Sequence, residues 1–190
     1  MNKNILIILI FLSGLCTGQN KEEYEIRVSE DQMPEKARSL IEEFKPKLRS
    51  IRYYSEKDGS HLSYEIKFRY HGKSYSVEFN PEGELEDVEI EHPKRDIDHP
   101  ARDRIRDHLD NNYDRWRLEK IQFQYLPGDS DKQLLERLFK RKIPMPDMLE
   151  IIVWGKKGGE KKSFEMLFKP DGTFVKQREV IYSDHDFLSF

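Results

Sequence analysis

Cysteine is nearly absent. The 190 residues contain one, Cys16, and it lies inside the segment "MNKNILIILIFLSGLCTGQNK". There Lys3 precedes an apolar run from Ile5 to Leu12, and small residues follow at Ser13, Gly14, Thr17 and Gly18. This is the three-part form of a secretory signal peptide, with cleavage expected near Gly18 and Gln19 as the first mature residue. A mature chain without thiols excludes disulfides and cysteine catalysis. A lipid-bearing Cys16 is the sharper alternative, but that signal has a small residue directly before the cysteine and Leu three before it. Here Leu15 and Ser13 stand in the reverse order, so release into the periplasm or medium is expected rather than anchoring.

Long hydrophobic runs are lacking too. The run after Lys3 falls short of the roughly 20 residues needed to span a bilayer, so no transmembrane segment is expected after cleavage. A field of one charge sign is also missing. Net charge is −3 with both signs interspersed, which excludes the basic footprint of a nucleic-acid binder. Catalytic signatures are absent: there is no Gly-x-Ser-x-Gly elbow, and "GKKGGEKK" lacks phosphate-loop spacing. "PEGELEDVEIEH" lacks the spacing of a calcium loop. His99 and His185 sit among aspartates, but Asp98 and Asp103 are explained by a helix start. Neither a metal nor another cofactor is expected, and the chain does not read as an enzyme.

What is present is one phrase written twice. "EFNPEGELEDVEI" begins at Glu78 and "LFKPDGTFVKQREV" at Leu167. Before the first, Ala37, Leu40, Ile41, Phe44 and Leu48 recur at helical spacing. "LSYEIKFRY" then alternates apolar and polar residues. Turns are expected at Asp58-Gly59, His71-Gly72 and Pro81-Glu82-Gly83, with a bulge between Leu85 and Val88. Before the second phrase, Asp98 and Pro100 open a helix carrying Ala101, Ile105 and Leu109. Strands are expected around Leu118–Tyr125, Leu149–Val153, Phe164–Phe168 and Phe174–Ile181.

The expected fold class is therefore α+β: two tandem repeats, each a helix packed on a four-stranded antiparallel sheet. The expected boundaries are a signal peptide over 1–18, a polar leader over 19–32, a first repeat over 33–91 and a linker over 92–97. A second repeat covers 98–182, with a helical insertion at 129–143, and a tail covers 183–190.

Tyr64, Glu65, Ile66, Phe68, Tyr75, Val77, Phe79, Pro81, Gly83 and Leu85 carry a family resemblance. So do Leu149, Glu150, Ile151, Phe164, Met166, Phe168, Pro170, Gly172 and Phe174. The pattern resembles the PepSY-like group of exported bacterial domains. That group is similar in architecture to the beta-lactamase inhibitor protein family, which has two such repeats side by side. The resemblance implies binding or inhibition of another protein and no common catalytic residues. The insertion departs from it, so equivalences between 126 and 147 are open.

The outward faces of the strands differ. Ser63, Glu65, Lys67, Arg69, Ser74, Ser76 and Glu78 read as a water-facing sheet. The matching positions later in the chain include Ile152, Trp154 and Leu167. Either the inserted helix, with Leu134, Leu135, Leu138 and Phe139, covers these three, or they form a partner surface. The expected function is an exported, non-catalytic module that binds a protein or peptide of the envelope or exterior. The alternative is an envelope protein that binds a small ligand or a metal.

Overall fold

The computed structural model describes residues 20–21, 23–140 and 143–180. The expected signal peptide with Cys16, the tail with His185 and the end of the last expected strand lie outside the described residues. Among the described residues no helix is long and apolar enough to cross a membrane.

The chain begins with two short strands, β1 (Asn20–Lys21) and β2 (Glu23–Val28), then helix α1 (Glu35–Glu42). Four strands follow: β3 (Arg49–Asp58), β4 (His61–Tyr70), β5 (Lys73–Phe79) and β6 (Leu85–Glu91). Helix α2 (His99–Asn112) leads into β7 (Arg115–Tyr125), helix α3 (Asp131–Leu138), β8 (Met148–Lys157), β9 (Glu160–Phe168) and β10 (Phe174–Val180). The expected bulge is present: Phe79 pairs with Leu85, whereas Glu78 pairs with Asp87.

The fold class expected from sequence is overturned. All strands belong to one sheet, in the order β1-β10-β9-β8-β7-β6-β5-β4-β3-β2. The fold is mostly β, not two helix-on-four-strand repeats. The junction is β6 against β7, paired from Val88↔Tyr125 to Glu91↔Gln122. Two separate sheets would have left both strands as edges, with rows of unpaired N–H and C=O groups. Pairing them satisfies those groups and merges the apolar residues of both halves into one core, from Ala37 and Ile41 to Met166 and Phe168.

The polar leader also proves to be structure. Tyr24, Ile26 and Val28 alternate with charged residues, and β2 pairs with β3 from Glu23↔Asp58 to Val28↔Tyr53. Just before it, β1 pairs in parallel with β10, Asn20↔Glu179 and Lys21↔Val180. One residue separates β1 from β2, yet they occupy opposite ends of the strand order. The sheet therefore rolls until its two ends meet across this segment. Arg178 of β10 crosses the seam to Asp58 of β3, Nη1 to Oδ2 at 2.5 Å.

The helices pack on one face of the roll. The hairpin before β6 presses Gly83 against the first turn of α1, and the hairpin before β10 presses Gly172 against α2. Both glycines have left-handed φ, +76° and +86°. A Cβ at 83 would meet side-chain carbons of Pro34 and Lys36 at 2.9 Å, whereas a Cβ at 172 would meet the Ala101 backbone oxygen at 2.4 Å. A Cβ is fixed to its backbone and cannot swing aside, so both positions are tight, and the approach at 172 is the closer one. Gly83→Ala is therefore expected to lower stability by about 1–2 kcal/mol and Gly172→Ala by about 2–4 kcal/mol. Denaturant unfolding of the two variants checks both the size and the order.

Helix α3 is capped by Ser130, whose hydroxyl accepts from the Gln133 N–H at 3.4 Å. Its apolar side buries Leu134, Leu135 and Leu138. Phe139 then meets Phe44, Phe68, Tyr70 and Tyr75, with ring centroids 4.9 to 6.0 Å apart. Lys132 pairs with Glu43 at 2.7 Å. The insertion thus packs beside α1 on the helix-bearing face. With eight residues, α1 is too short to cover β4 and β5, and α3 completes the cover.

Candidate binding face

Because side chains alternate along a strand, the face opposite the helices is set by residues two apart. In β3 and β4 these are Glu56, Glu65 and Lys67. In β5 and β6 they are Glu78, Asp87 and Glu89, and in β7 they are Lys120, Gln122 and Gln124. The face continues through Glu150 and Ile152 of β8, Glu165 of β9, and Arg178 and Val180 of β10. All of them line one cavity of about 300 Å³. Seven carboxylates face three cations there.

The face is not the open, water-facing sheet that alternation suggested. Ser63, Glu65 and Ser76 are buried, as are Glu56, Asp87, Gln122 and Glu165. Rolling turns the polar face inward, so its groups must satisfy one another. Ser76 donates to Glu65. The Gln122 amide donates to Glu89, and the Gln124 amide donates to Asp87 at 2.8 Å. Arg178 donates to Glu165 at 2.6 Å as well as to Asp58.

Lys67 Nζ lies 2.6 Å from Glu25 and 2.8 Å from Glu65 and stands over the Tyr54 ring at 4.9 Å. Burial opposes its charge, but Glu65 and Glu25 outweigh burial and hold the ammonium above its ordinary range. Glu89 has the opposite balance. Burial, then Glu150, Asp87 and Glu78, push its carboxyl well above the ordinary carboxylate range, against the pull of Lys120. This interior therefore holds a proton under conditions where exposed carboxylates have lost theirs.

Oxygens of Glu25, Glu56 and Glu65 lie within 4.8 Å of one another, close enough to ligate a cation. The Lys67 ammonium already bonds two of the three, so a metal would have to displace it. His99 pairs with Asp103 at 3.1 Å in α2; Asp98 is the N-cap residue but makes no side-chain cap bond, and Asp103 lies beyond the first turn.

Of the expected partner-surface residues, Ile152 lines the cavity. Trp154 and Leu167 lie on the same side, Trp154 opposite Ser163 and Leu167 opposite Glu150. All three are half-buried. The inserted helix covers none of them, because it packs on the other face. Trp154→Ala is therefore expected to cost about 1–2 kcal/mol, as for a partly buried side chain, not the roughly 3–5 kcal/mol of a core aromatic. An unfolding midpoint shifted by the larger amount would contradict this placement. Sequence reasoning missed the carboxylate interior. Its signal was an acidic residue on the same side of nearly every strand, read strand by strand as solvated surface.

No family model matches this chain, and no curated protein matches it. Solved structures do. A DUF2874 family protein from Bacteroides ovatus is 13% identical, with a TM-score of 0.52 over 78% of this chain and 89% of that one. A Bacteroides eggerthii protein described as "putative periplasmic" is 11% identical, with a TM-score of 0.51 over 77% and 88%. A BLIP-like protein from Bacteroides fragilis is 14% identical, with a TM-score of 0.48 over 80% and 89%. At these identities the first two likenesses speak for the fold alone.

Proposed function

We propose that the chain is a periplasmic, non-catalytic module that holds a protein or peptide of the envelope on the face of the sheet opposite its helices. The observation that carries this reading is the placement of Ile152, Trp154 and Leu167. Three half-buried apolar side chains stand beside a cavity where carboxylates outnumber cations. Tryptophan is a common interface anchor. An acidic cavity beside it complements a basic residue of the partner. The expected signal peptide and the structural likeness to the Bacteroides eggerthii protein described as "putative periplasmic" support the location. The likeness to PepSY-like and inhibitor-like exported domains read from the motifs points to the same class of role.

The test is capture from the native envelope with the exported chain as bait. A partner should be retained by the wild type, lost with Ile152→Glu and Trp154→Ala together, and kept by Tyr24→Glu. Tyr24 is exposed on the helix-bearing side of β2. Capture lost through Tyr24→Glu and unaffected by the pair would refute the assignment of the face.

A further inference from the structure

A second site lies at one end of the strands. The short 3₁₀ turn Lys45–Lys47, the start of β3 and the β4–β5 hairpin enclose a depression of about 530 Å³. Lys47, Arg49, Arg69 and His71 line it, and no carboxylate does. Among the described residues, none of Lys47, Arg49 and Arg69 forms an ion pair. Their neighbours two positions away do: Lys45 pairs with Glu30 and Glu42, and Lys67 with Glu25 and Glu65. In a chain of net charge −3, this cluster of unneutralised cations stands out against its surroundings.

The backbone holds the cluster together at a cost. Arg49 and Arg69 are direct cross-strand partners, and like charges in that position repel. Between Arg49 and Arg52 the register slips, which makes a bulge. Ser50, in the bulge, has φ +54°, a conformation uncommon outside glycine. At the hairpin, His71 and Gly72 both have positive φ, +47° and +79°, as a primed two-residue turn requires. The first position of such a turn usually takes Asn, Asp or Gly; here it carries an imidazole at the rim of the depression. Repulsion and strain thus converge on one pocket, and an anion seated there would relieve the repulsion.

We propose that this pocket binds a phosphoryl group, with Arg49 and Arg69 as its principal donors and Lys47 and His71 beside them. A guanidinium pair presents the fork geometry that matches tetrahedral oxyanions. Several cations in one pocket favour a multiply charged group over a single carboxylate. The phosphoryl group can belong to a soluble phosphate or to a lipid headgroup, and the two sources separate experimentally.

The exported chain, isotope-labelled, is titrated with inorganic phosphate and pyrophosphate while the amides of Ser50, His71 and Gly72 are followed by NMR. In parallel, its binding to phosphatidylcholine vesicles is measured with and without phosphatidic acid. Saturable shifts at those amides identify the soluble source. Binding only to the phosphatidic acid vesicles identifies the lipid source. In either case Arg49→Gln with Arg69→Gln should weaken binding at least about tenfold, while Arg95→Gln on the surface should not. The double variant removes a like-charge pair, so its unfolding midpoint should not fall. That separates lost binding from lost folding. No response in either arm, or equal binding by the double variant, overturns the proposal.

Discussion

Replacing Lys67 with methionine is expected to lower the unfolding free energy by about 3 kcal/mol. The ammonium lies 2.8 Å from Glu65, and the Glu65 side chain is 6% exposed. Removing it leaves a carboxylate in a place water reaches poorly, and losing one partner of a buried pair costs about 3–5 kcal/mol. Lys67 itself is 31% exposed, which places the effect at the low end of that range. Glu65→Gln added to Lys67→Met should restore most of the loss, because the amide needs no counter-charge and Ser76 still reaches it. Chemical denaturation of the single and double variants measures the coupling. Equal stability of wild type and Lys67→Met would show that the roll is open to solvent at this point.

Glu89→Gln is expected to change how stability depends on pH. Its folded carboxyl titrates well above the ordinary range, through burial and the charges of Glu150 on β8, Asp87 on β6 and Glu78 on β5, against Lys120 on β7. The folded state then holds a proton that the unfolded chain has released. Its stabilising effect is fully present below the unfolded carboxylate pKa. It is lost as pH rises through the folded pKa, at up to about 1.4 kcal/mol per pH unit. Wild type should thus lose stability from mildly acidic pH upward. The glutamine variant carries no such charge, so it should be flatter across that range and more stable than wild type at its upper end. Parallel curves for the two proteins would contradict the assignment of Glu89 as the protonated group.

The sequence made the local elements readable because each has a local cause. The alternation in "LSYEIKFRY" marks β4 regardless of its neighbours, and Gly83 and Gly172 mark hairpins because their turns require left-handed backbone. The helical spacing of Ala101, Ile105 and Leu109 identifies α2. What stayed hidden is non-local. That β6 pairs with β7 is decided by edge satisfaction across a linker and a helix, and no residue in either strand announces it. Tyr24, Ile26 and Val28 do alternate, but they make a short strand among charges whose value lies in closing the seam with β10 and β3.

The candidate binding face was half legible. Alternation correctly set Glu65, Lys67, Glu78, Glu150, Ile152 and Glu165 on one side. It carries no information on whether that side meets water, since curvature arises from the whole sheet. The same limit explains the inserted helix. Its apolar residues required a surface, and two were on offer. The aromatic surface of Phe68 and Tyr75 beside α1 took it, which left Trp154 half-buried and untouched by the insertion.

The central proposal is that the face opposite the helices, and not the helix-bearing face, meets a partner. Its most direct test is site-specific photo-crosslinking in the native envelope, with a photoreactive amino acid placed at position 154 or at position 24. The account predicts one discrete adduct from position 154 and none from position 24. An adduct from position 24 with none from position 154 would contradict it.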